Sequence, residues 1–216
     1  MKKYSIKQVL YFALAITLLS ASAAFQMQLN IGMGPWDGLG KSISSVSGLK
    51  VGNAAILMSL TCVLIQLVIL KKEFRISNIL TLAVGFINGK IINLFYYGVF
   101  DKMVINSYVV KFLLFILSIA LIAFFVSMIQ TADFINLPLE GLCETLADKG
   151  FGKFSTIRQT VDILAIISIL IITFVWNVPI TLREGTIISM IVFGPLLGFY
   201  IPIQQSFVEK FSIIKK

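Results

Sequence analysis

Gly34-Pro35-Trp36-Asp37-Gly38-Leu39 returns about 100 residues further on as Leu137-Pro138-Leu139-Glu140-Gly141-Leu142, keeping Pro, a gap, an acid, Gly and Leu in the same order. The surroundings return as well. Each copy follows an apolar run ending in glutamine (Gln26 and Gln28; Gln130), precedes a short stretch closed by glycine (Gly48; Gly150), and leads into another apolar run. A repeat of this kind decides the architecture before any single motif does.

The repeated segments are too broken for a span and too apolar for a solvated loop. Residues 31–50 hold five Gly and one Pro, and 134–153 have the same character. Leu39, Ile43 and Val46 recur at helical spacing, as do Leu139, Leu142 and Leu146, which predicts a short helix with one apolar face in each. Pro35 and Pro138 stand where a helix starts, and Gly34, Gly38 and Gly141 are read, with Trp36, as the residues of sharp turns. Asp37 and Glu140 fall beside the helix starts, where a carboxylate meets unpartnered N–H groups and the positive end of the dipole. Two readings stand side by side. In one the acids are helix caps. In the other the segments are re-entrant, enter from opposite faces, and bring the acids together along a polar cavity, since broken backbone at membrane depth needs protein or water to cover it.

Outward from the motifs the chain is apolar. Of its 216 residues 58% are hydrophobic and 13% charged, with mean hydropathy +0.96, which excludes an ordinary soluble enzyme. Runs at about 9–30, 51–70, 76–100, 108–130, 157–176 and 185–205 are each long enough for one membrane crossing, which takes about 20 residues. The expected fold is therefore all-α: a polytopic membrane protein of six transmembrane helices in one membrane domain. Residues 1–100 and 101–216 form two three-helix repeats, each with a short broken helix. Three spans per repeat invert the second copy relative to the first, the plan of many secondary transporters. Gly85-x-x-x-Gly89 and Gly194-x-x-x-Gly198 extend the match to the third spans, where the first expectation for such glycines is helix packing.

Charge agrees with this. Lys2, Lys3, Lys7, Lys71, Lys72, Arg75, Lys149, Lys153, Arg158, Lys210, Lys215 and Lys216 collect on one side, against Lys41, Lys50, Lys102, Lys111 and Arg183 on the other. The positive-inside bias puts both termini in the cytoplasm, and the net +8 reads as topology, not nucleic-acid binding. Trp36, Tyr96, Tyr97, Tyr108, Trp176 and Tyr200 are placed near span ends. Lys2, Lys3, the run Val9–Leu19 and Ala21-Ser22-Ala23 imitate a secretory signal, but the run continues uncharged to Asp37 and has a counterpart in the second half, which argues against cleavage.

With no His and two Cys (Cys62 in an apolar run, Cys143 in a loop), no metal, cofactor or His-based catalytic set is expected. Lys90 is a functional candidate, about 21 Å into its span by helical rise, flanked by Asn88 and Asn93 and without an acid at i±3 or i±4. Asp37 is the acid placed to meet it, while Asp162 has Arg158 one turn below. The candidate translocation site is Asp37, Asn53, Asn88, Lys90, Asn93, Gln130 and Glu140. A buried carboxyl that changes protonation would couple movement of a small-molecule substrate to protons. A non-transporting scaffold or accessory subunit that binds another protein is the alternative use of the same architecture, and an intramembrane enzyme acting on lipid is a third; the expected partners are the lipid bilayer, a small-molecule substrate and a second copy in a homodimer.

The stretch 32–53 (GMGPWDGLGKSISSVSGLKVGN), its echo near Pro138 and the six-span length resemble the YczE/YyaS/YitT group of small bacterial integral membrane proteins. The resemblance implies a multi-pass protein of the bacterial cytoplasmic membrane and a transporter-like role, and it supplies no catalytic residues.

Overall fold

The computed structural model describes residues 4–214; Lys2, Lys3, Lys215 and Lys216, counted above for orientation, lie outside the described residues. The six apolar runs form α1 (Ile6–Leu29), α3 (Val51–Leu70), α4 (Ile76–Leu94), α5 (Tyr108–Thr131), α7 (Phe154–Trp176) and α8 (Glu184–Lys210). All six are long and apolar enough to cross a membrane. Between them α2 (Pro35–Ser47) and α6 (Pro138–Asp148) occupy the repeated motifs. A π-helical turn, Phe95–Val99, prolongs α4 to the end of its expected span. The protein is an all-helical, multi-pass membrane protein.

Chain start and chain end share one face. The Ser5 hydroxyl donates to the Ile213 carbonyl at 2.6 Å, and the Gln8 amide to the Ala132 carbonyl at 2.8 Å, fastening α1 to the ends of α8 and α5. Deeper in, Tyr11 donates to Gln204 and Gln26 to Ser118, pairs that satisfy buried polar groups where lipid offers none.

α1 packs along α5, α4 along α3 and α1, and α8 along α5. The two short helices cross over: α2 lies against α7 and α3, α6 against α3 and α7. The closest approach is α3 on α4. A Cβ on Gly52 would overlap the Gly89 carbonyl oxygen, and one on Gly85 would sit 2.6 Å from the Ser59 Cβ. The Gly194/Gly198 pair behaves differently, with nothing within 4 Å of either. α8 contacts α7 marginally at most.

The N-terminal turns of α2 and α6 meet in the interior. Pro138 packs against Gly85, midway along α4, while the far end of α6 reaches the terminal face through a 2.8 Å Lys149–Glu73 ion pair. Trp36, in the first turn of α2, packs on the cluster of Cys62, Leu139, Leu142, Cys143 and Ile157, joining the two starts. α2 then runs to the opposite face and ends at Gly48, whose N–H bonds the Ser44 carbonyl. Trp36 thus leaves the span end expected of it, because its helix starts inside the bundle.

Gly38 and Gly141 are corrected as well. Each lies inside its helix, its N–H bonded to the carbonyl of Gly34 or Leu137, so neither makes a turn. They let α7 and α3 come close: a Cβ on Gly38 would stand 3.3 Å from Ile169, and one on Gly141 3.5 Å from Gln66. Cys143 lies not in a loop but in α6, whose apolar face buries it beside Cys62, and both thiols are free.

Candidate functional site

A cavity of about 190 Å³ lies inside the helix bundle, and all eight helices line it. Its polar wall comes from the first turns of α2 and α6 and from one face of α7. Pro35 and Pro138 open their helices, which puts Asp37 and Glu140 in the third helical position, where carboxylates are favoured by the dipole and free N–H groups. Glu140, in the first turn of α6, lies on the cavity wall. Asp37 makes no hydrogen bond or ion pair among the described residues; its carboxyl faces the cavity, in the field of Arg158, Glu140 and Asp162.

Arg158 is the cation of the site. On α7 it pairs with Asp162 one turn on, the i,i+4 contact read from the sequence, and its Nε lies 4.0 Å from a Glu140 oxygen. Counted among the surface charges that orient the chain, Arg158 lies instead on the cavity wall. Side-chain exposures of 24% for Arg158 and 17% for both Glu140 and Asp162 fit groups that see the cavity and not bulk water.

The rest of the lining is apolar and polarisable: Trp36, Phe193, Met27, Met58 and Met190, with aliphatic side chains from α1, α4 and α5. Asn88 is on the wall and its carbonyl accepts the Ser20 hydroxyl at 2.6 Å. Ser189, 6% exposed on α8, brings a buried hydroxyl with no hydrogen-bond partner to the same cavity.

Four residues of the sequence-derived set stand elsewhere. Lys90 is exposed, its Nζ 5.2 Å from the Phe86 ring centre one turn away on the outer side of α4, so it does not meet Asp37. Asn93 accepts the Gly52 N–H at 2.8 Å and donates to Asn53 at 3.0 Å; the two asparagines lock α4 to the start of α3. Gln130 lines a separate polar vestibule of about 630 Å³ toward the terminal face. Asp37, Asn88 and Glu140 are brought together, joined by Arg158, Asp162 and Ser189. The Arg158/Asp162 pair was visible as a charge pair; that Glu140 makes a third partner depends on the crossing of α6 over α7, which spacing does not encode.

Fold and cavity define a six-span membrane protein with an internal, charged site. Over residues 6–202 the chain matches the family of unknown function DUF6198, and it belongs to that family. It is 25% identical to the "Uncharacterized protein YyaS" of Bacillus subtilis (strain 168), across 93% of this chain and 96% of that protein. No solved structure matches the chain.

Proposed function

We propose that the protein is a small-molecule transporter of the bacterial cytoplasmic membrane, in which two inverted three-helix repeats give alternating access to the central cavity. The observation that carries this is the meeting of the α2 and α6 starts, two copies of one motif arriving from opposite faces, around Asp37, Glu140 and Arg158. Helix N-termini converging on a midplane cavity are the recurring device of such transporters. The contact pattern lends support: α1 pairs with α5, α2 lies on α7 as α6 lies on α3, and α1–α4 is matched by α5–α8. On this reading the substrate passes chemically unchanged, and the basic terminal face is cytoplasmic by the positive-inside bias. The wider kinship with YczE- and YitT-type proteins belongs to the same proposal and rests on residues 32–53.

The cavity contains three carboxylates and one guanidinium, so a proton is the natural counter-ion when the site is empty, and exchange of that proton for substrate would supply the coupling. The test is a thermal-shift screen on purified protein, followed by uptake of the hits into proteoliposomes. We expect ligand response to be lost in Asp37→Ala and kept in Lys90→Ala. Absence of any ligand shift or flux, with a second membrane protein co-purifying in stoichiometric amount, would overturn transport in favour of an accessory subunit.

A further inference from the structure

We infer that the central cavity takes a monovalent organic cation, an amphipathic ammonium compound, bound by the Asp37 carboxylate with its apolar part among Trp36, Phe193 and the methionines. This deepens the transport reading and rests on it. Charge is the first argument. Asp37, Glu140 and Asp162 bring three negative charges, Arg158 brings one positive, and the two helix starts add about half a positive charge each. One negative charge is left over. Arg158 balances only one of its two acid partners, so the surplus is shared with Asp37, and Asp37 is the acid with no hydrogen bond or ion pair among the described residues, which leaves it free to meet a ligand.

Chemistry of the walls is the second argument. A small inorganic cation wants about six oxygen ligands, whereas most of this lining is hydrocarbon, aromatic face and thioether. Aromatic faces and sulfur are good neighbours for an ammonium group and its carbon frame. The third argument is independent of the acids: the Ser189 hydroxyl is buried on the cavity wall with no hydrogen-bond partner among the described residues, and a ligand N–H in the cavity would satisfy it.

The test uses the full chain in lipid nanodiscs with two probes of one shape and opposite charge, phenethylammonium and 3-phenylpropionate, with sodium and potassium chloride as further arms. Expected is saturable phenethylammonium binding, at least about tenfold weaker in Asp37→Asn, partly restored in Asp37→Glu and a few-fold weaker in Ser189→Ala, with no competition from 3-phenylpropionate. Three results would overturn the cation assignment: stronger binding of the carboxylate probe, no phenethylammonium binding by folded wild-type protein, or equal binding by wild type and Asp37→Asn. Asp37-dependent protection by sodium or potassium with no response to phenethylammonium would also overturn it. Proteoliposome uptake separates the two claims. Asp37-dependent binding without flux sinks transport and leaves the cation site, whereas flux of 3-phenylpropionate sinks the cation and leaves transport.

Discussion

Arg158 is the cation beside two acids of the cavity wall, so its loss leaves both without their counter-charge. Removing one partner of a buried ion pair typically costs about 3–5 kcal/mol, because the remaining charge keeps its desolvation penalty. Arg158 and Asp162 are half-buried, so Arg158→Leu should lower thermal stability in detergent by an amount at or below the lower end of that range, and Asp162→Asn added to it should recover part of the loss. An unchanged unfolding temperature in Arg158→Leu would remove the pair from the structural account. Lys90 is the contrast: Lys90→Met should leave stability within about 0.5 kcal/mol, as for surface positions away from any network. The depth of Lys90 is legible in the sequence by counting; its direction follows only once Gly85 and Gly89 are known to mark the packed face. At about 100° per residue, Lys90 stands well round the helix from that face.

Helix starts, lengths and the two interrupted segments are legible at the scale of elements, because Pro, acid and Gly act on the backbone directly, whatever the fold around them. The partners of a glycine are not, since they depend on which helix arrives. Gly85/Gly89 and Gly194/Gly198 look alike in sequence, yet the first pair lies in the α3–α4 contact and the second faces open space. Alanine should report this difference. Gly52→Ala forces its methyl into the Gly89 carbonyl and should cost about 3 kcal/mol or more, the upper range for overpacking. Gly198→Ala adds a methyl to space and removes backbone freedom from the helix, so it should be neutral or stabilising by up to about 1 kcal/mol. Thermal unfolding monitored by size-exclusion chromatography checks both, and equal destabilisation by the two changes would contradict the packing described.

Most contacts among the first four helices have a counterpart among the last four, with the exception of α4, which is closed onto α3 and α6, whereas α8 stands off α7 and α2. The cavity is lined on that side by Arg158 and Asp162 of α7 and by Ser189, Met190 and Phe193 of α8, so the open seam borders the charged site. No reading of residue types would find this, because the two glycine pairs look alike and which helix meets each of them is decided by packing. If the repeats exchange conformations, the contact now made by Gly52 with Gly89 has a counterpart between Ser155 and Gly198, by the registers of the two motifs. Those residues should come together when α3 and α4 separate. Ser155→Cys with Gly198→Cys should then be joined by a short thiol cross-linker in membranes under conditions of turnover, and the joined protein should stop transporting and recover on cleavage of the cross-link. Flux that persists in fully cross-linked protein, or a pair never joined while flux proceeds, would mean that α7 and α8 do not close and that access alternates by some other movement.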